Sequence, residues 1–137
     1  MLKPLKRGMR VEIYWNLHKH VYSVKSLERG GSYGHVVAHG DLFLLEKCKF
    51  VVRPSGRKKI VDTGVRNVHA FVRGYLLGDN KDKLQFDDTA YYNPFVTETW
   101  VDSKGDVLTS CAEVLLTCVE GVHNNRTCLK PRLFVNH

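Results

Sequence analysis

Strict alternation of apolar and polar residues recurs along this chain, and no helical periodicity competes with it. In Arg10-Val11-Glu12-Ile13-Tyr14-Trp15 every second residue is apolar and the segment is rich in branched and aromatic side chains. Such a segment can hide one face only as a strand, because successive side chains of a strand point to opposite sides. Val21-Tyr22-Ser23-Val24 follows after Asn16-Leu17-His18-Lys19-His20, which predicts a hairpin with a polar turn. Glu28 to Gly34 reads as a glycine-rich loop, and His35-Val36-Val37-Ala38-His39 as a short strand. Asp41 to Glu46 fits either a strand or a turn of helix, while Lys49 to Arg53 is a strand stopped by Pro54-Ser55-Gly56. Asn67 to Leu76 is the clearest alternating strand of all. After the acidic, polar stretch from Gly78 to Asp88, Tyr91 to Val96 makes a proline-marked bend and Val101 to Val107 a hairpin turn. A long strand is predicted over Ser110 to Val119, with Ala112, Val114, Leu116 and Cys118 on one face, and a last short one over Leu129 to Val135. The expected architecture is mainly β, a small antiparallel barrel or sandwich of roughly seven to nine strands with little helix.

The 137 residues suit a single β-rich domain over 1–137, since neither half alone carries a convincing core. With 43% hydrophobic and 26% charged residues, the composition is that of a globular chain and excludes extended disorder. No apolar run reaches the roughly 18 residues of a membrane helix. The basic start Met1 to Arg7 leads into alternating residues instead of an apolar signal core, so secretion and membrane partners are not expected. Cys48, Cys111, Cys118 and Cys128 form no C-x-x-C pair, which argues for reduced, mostly buried thiols and against a zinc or redox site.

Charge is distributed unevenly. Residues 1–75 hold fifteen Lys and Arg against five Asp and Glu, +10, and residues 76–137 hold six against nine, −3, which together give the net +7. A basic half concentrates anions such as nucleic acid, nucleotides or acidic headgroups. Arg53, Arg57, Lys58 and Lys59 surround the Pro-Ser-Gly turn, and Arg66 and Arg73 flank the strand from Asn67. Arginine's planar fork holds a phosphate through two hydrogen bonds. Along that strand Asn67, His69, Phe71 and Arg73 share one face, offering an amide, an imidazole, a ring and a guanidinium to a base and its phosphate. Val68, Ala70 and Val72 on the other face suit a core, although Phe71 could equally belong inside. Tyr14, Tyr22 and Tyr33 are further aromatic candidates.

Histidines supply the competing, enzymatic reading. His18 and His20 would lie about 7 Å apart on one side of a strand, and His35 and His39 would also share a face, each pair a possible acid–base couple for a nuclease or phosphodiesterase. No HExxH, HxHxDH or HNH-like spacing accompanies them, and no GxSxG or Walker ending is present. The acidic Asp79, Asp82, Asp87 and Asp88 match no cation loop, so no metal and no cofactor is expected.

Several segments in order resemble a family of small proteins encoded by tailed phages (Caudoviricetes). These are Asn16-Leu17-His18-Lys19 with Tyr22-Ser23-Val24, Gly34 to His39, Phe50 to Arg57, Arg66-Asn67-Val68-His69-Ala70-Phe71-Val72-Arg73-Gly74, and Tyr92-Asn93-Pro94-Phe95. The Asn-Val-His-Ala-Phe-Val string is the most specific of them, and the resemblance covers most of residues 10–118. It implies a phage or prophage origin and the cytoplasm of the bacterial host, and it transfers no catalytic residue. The residues favour a non-enzymatic binding protein for a phosphate-bearing ligand, either nucleic acid or a signalling nucleotide of host defence that a phage gains by sequestering. Inhibition of a host defence protein is a further alternative, and homo-oligomers are compatible with either.

Overall fold

The computed structural model describes residues 7–16, 19, 21–29, 34–52, 70–78, 88–92, 100–102, 108–123 and 125–136. Among the described residues nine strands form one antiparallel sheet: β1 (Arg10–Asn16), β2 (Val21–Ser26), β3 (Val36–Gly40), β4 (Phe43–Val52), β5 (Ala70–Gly78), β6 (Asp88–Tyr92), β7 (Trp100–Asp102), β8 (Ser110–His123) and β9 (Arg126–Asn136). Their order is β3-β2-β1-β5-β4-β8-β9-β6-β7, so β3 and β7 end the sheet and, among the described residues, it does not close into a barrel. The mainly β expectation holds, and of its two forms the sandwich-like one fits. Asp41 to Glu46, ambiguous by pattern, enters β4.

Alternation decides what lies inside. Val11, Ile13 and Trp15 of β1 meet Tyr22 and Val24 of β2, Leu45 and Cys48 of β4, Val72 and Leu76 of β5, Trp100 of β7, Val114 and Leu116 of β8, and Leu133 and Val135 of β9 in one buried cluster. Both ends of the strand order contribute to it, Val37 from β3 and Trp100 from β7. Trp15 packs edge-on against Tyr22 at 5.0 Å between ring centres. The Tyr22 hydroxyl donates to the carbonyl of Thr117 on β8 at 2.7 Å, tying β2 across the core to the β8–β9 hairpin. Burial pushes the Tyr22 phenol well above its ordinary range. Tyr22 is therefore a core residue with a satisfied polar tip, not surface aromatic area as its sequence position had suggested.

Three register shifts interrupt the pairings, one at Leu44/Leu45 on β4 and two at bulges that reset the alternation. On β3, His39 pairs with Ser23, Ala38 with Val24 and Val36 with Lys25, so Val37 is an inserted residue and both Val37 and Ala38 turn to the core. On β4, Glu46 pairs with Tyr75 and Lys49 with Arg73, leaving Lys47 and Cys48 against Gly74 alone. Lys47 takes a positive φ of 53° there. A Cβ on Gly74 would stand 2.8 Å from the Glu46 carbonyl oxygen, so the bulge requires glycine at this point. Opposite, on β8, Cys111 and Val114 both reach the core, whereas Ala112 is exposed. The face expected from Ala112 through Cys118 thus holds at Val114 and Leu116 and slips at Ala112. Cys48, Cys111 and Cys118 are free thiols, the first two buried. Cys48 is pushed far up by its hydrogen bond with Cys111 and by burial.

Candidate functional site

The face of the sheet turned away from the core collects the charges. Across four neighbouring strands the register places Lys25 (β2) opposite Glu12 (β1), Glu12 opposite Arg73 (β5), and Arg73 opposite Lys49 (β4). Each of these residues alternates with a core residue, Val24, Val11 and Ile13, or Val72, which sends it outward. The result is a ladder of three cations and one carboxylate, running roughly 14 Å at about 4.8 Å per strand. Arg73 Nε donates to Glu12 Oε1 at 2.9 Å; the carboxylate residue is 2% exposed and the arginine side chain 37%. Lys49 is exposed and Lys25 half-buried. Three positive side chains around one internal counter-ion leave the row with an excess of two positive charges.

A row of rings borders the ladder. Tyr14 and Phe71 meet edge-to-face at 5.7 Å. The Lys25 ammonium stands 5.4 Å from the Tyr14 ring centre and 5.6 Å from that of Phe71, which holds a desolvating cation–π contact on this face. Phe71 is buried, and Tyr14 half-buried, so Tyr14 offers the more accessible ring. Beyond Tyr14, Ser23 lies opposite it on β2, and His39 opposite Ser23 on β3.

Of the residues singled out by pattern, Phe71 and Arg73 share this outward face of β5, with Phe71 engaged by Tyr14 and Lys25, and Arg73 by Glu12. Arg53, Arg57, Lys58, Lys59, Arg66, Asn67 and His69 lie outside the described residues, as do His18, His20 and Tyr33. The chain between β4 and β5 that carries the first seven leaves at Val52 and returns at Ala70, which are paired, and the next pair inward is Val51 with Phe71. Residues 53–69 hold five Lys and Arg against Asp62, a charge of +4.

His35 and His39 are both exposed. His39 and Val36 face Ser23 and Lys25 on the outer side, and His35 lies just before β3, its carbonyl accepting from the Ser26 N–H at 3.1 Å. No group of three or more His, Cys, Asp or Glu able to hold a metal occurs among the described residues. No helix there is long and apolar enough to cross a membrane. Pattern alone passed over Lys25, Lys49 and Glu12. Glu12 and Lys25 were visible as outward positions of their strands, but their alignment with Arg73 and Lys49 is a property of strand order.

The family model described as the Mycobacterium phage L5 gene 82 protein matches residues 4–124. The gene 82 protein of Mycobacterium phage L5 is 36% identical to this chain over 101 residues, covering 69% of the chain and 79% of the phage L5 protein. No solved structure matches.

Proposed function

We propose that this chain, which belongs to the family of the Mycobacterium phage L5 gene 82 protein, is a phage-encoded, non-enzymatic binding protein that holds a nucleic-acid strand by its phosphates. The observation that carries the reading is the ladder Lys25–Glu12–Arg73–Lys49, with its excess positive charge on the sheet face turned away from the core. A nucleotide sponge needs a concave pocket that surrounds one ligand. A row of cations roughly 14 Å long instead matches successive phosphates of a chain. Tyr14 at its edge supplies a ring for a base, and the basic sequence of residues 53–69 adds to the positive charge of the chain. The ligand is held in the bacterial host's cytoplasm, and Glu12 sets the spacing of its neighbours by keeping Arg73 in place.

The test mixes purified protein with short single strands of DNA and RNA, a duplex, and cyclic and linear nucleotides, then recovers each ligand. Expected is oligonucleotide binding whose log affinity falls linearly with log salt, with a slope of about −2 if three phosphates are neutralised on a single strand. Lys49→Glu should weaken it and flatten that slope. Recovered strands should be intact. Nucleotide binding without oligonucleotide binding would shift the reading to sequestration of a signalling nucleotide. Cleaved strands would overturn the non-enzymatic reading and bring back His18, His20, His35 and His39. Binding to nothing would leave a host protein as the partner.

A further inference from the structure

A directed hydrogen-bond chain ends at His39. The Lys19 backbone N–H donates to Asn16 Oδ1 at 3.0 Å, which fixes the amide so that its Nδ2 points the other way. Asn16 Nδ2 donates to Ser23 Oγ at 3.2 Å. Ser23 is fully buried, and its own hydroxyl hydrogen still needs an acceptor. Among the described residues the ring nitrogen within reach is His39 Nδ1, 2.9 Å away, which accepts that hydrogen when the ring carries its own proton on Nε2. A neutral imidazole that accepts at Nδ1 carries its proton on Nε2. The ring itself is exposed on the outer face, opposite Ser23 and two residues along β2 from Lys25, roughly 7 Å.

We propose that His39 is an oriented, uncharged hydrogen-bond donor that receives a phosphate oxygen of the ligand at the β3 end of the cation ladder. The assignment rests on the phosphate reading above and sharpens it. A ring locked in one tautomer offers only an N–H on its exposed edge, so an anionic oxygen fits there and a second donor does not. Ser23 is not a nucleophile in this arrangement: its oxygen is buried and its hydrogen is committed to Nδ1.

Two measurements decide it. Long-range nitrogen–proton correlation spectra of histidine-labelled protein should show His39 as the Nε2–H tautomer, and Ser23→Ala should release that preference. Binding of a short oligothymidylate should weaken about tenfold in His39→Ala, the effect of one hydrogen bond to a charged group. His39→Gln, whose amide nitrogen reaches the Nε2 position, should recover most of the loss. Because a neutral donor releases no counter-ion, His39→Ala should leave the salt slope unchanged, whereas Lys49→Ala should reduce it. An Nδ1–H tautomer overturns the assignment, as does unchanged affinity in His39→Ala or a changed salt slope. If Lys49→Ala reduces the slope while His39→Ala does nothing, the ladder stands and His39 alone falls. Wild-type protein that binds no oligothymidylate overturns the phosphate reading and the donor role with it.

Discussion

Replacing Glu12 by glutamine separates the stability of the outer face from the binding proposed for it. The carboxylate is 2% exposed, accepts from Arg73 Nε at 2.9 Å, and faces Lys25 across the other strand. In Glu12→Gln the side-chain amide keeps an oxygen to accept the same N–H, so the loss is the charge-assisted part of the bond. A hydrogen bond to a charged group contributes about 1.5–3 kcal/mol and a neutral one about 0.5–1.5, which leaves about 1 kcal/mol at stake. The Arg73 side chain is 37% exposed, and water screening keeps the figure from rising much further. For a chain of this length about 1 kcal/mol lowers the melting temperature by about 3–5 °C. Oligonucleotide affinity should move the opposite way, since removing the one anion raises the ladder from two positive charges to three. Thermal unfolding and salt-dependent binding of the same variant give both readouts. Lower stability with equal or tighter binding fits the counter-ion role. A loss of affinity without a loss of stability would refute it, because the carboxylate would then be recognising the ligand itself.

Other perturbations reach the frame beneath the face. Gly74→Ala places a Cβ 2.8 Å from a backbone oxygen that no rotamer change can move, so urea denaturation should show a loss of about 2 kcal/mol or more. Tyr22→Phe removes the hydroxyl bonded to the Thr117 carbonyl and should cost about 1 kcal/mol at neutral pH. The same substitution should change alkaline stability. With its folded pKa raised above the unfolded value of 10.0, Tyr22 contributes stability that is complete below that pH and is lost as pH rises through the folded value. A plot of unfolding midpoint against pH should therefore fall less steeply above about pH 10 in Tyr22→Phe than in wild type. Leu45→Ala, in the fully buried core, should lose about 2–5 kcal/mol by chemical denaturation while leaving the salt slope of binding untouched in the folded protein.

How far the sequence could be read depends on where the alternation stays in phase. Over Arg10 to Trp15 it is uninterrupted, and Val11, Ile13 and Trp15 lie inside as their spacing implies. The same holds at the start of β5, where Val72 is buried in the core and Phe71 and Arg73 sit on the opposite side. Phase is lost at the bulges. Val37 and Ala38 both turn inward, and Cys111 displaces Ala112 from the inner face of β8. The slip at Val37 leaves no mark in composition, since valine is an ordinary strand residue, whereas Gly74 inside an alternating strand is the trace of the other.

The outward row was harder to see for a different reason. Glu12, Lys25, Lys49 and Arg73 come from four segments of the sequence, and only the order β2-β1-β5-β4 makes them neighbours. Two antiparallel alignments with different partners act on Glu12 alone, and a slip of one residue in either would send Lys25 or Arg73 to the core side. Burying either cation there without a partner would cost more than a strand pairing returns. The ladder and the core therefore select the same register. The bulge against Gly74 is what lets β4 satisfy both: it takes up one residue between Glu46 and Lys49, so that Leu45 and Cys48 remain inside while Lys49 faces out beside Arg73. The irregular point against Gly74 is thus what puts the third cation on the outer face.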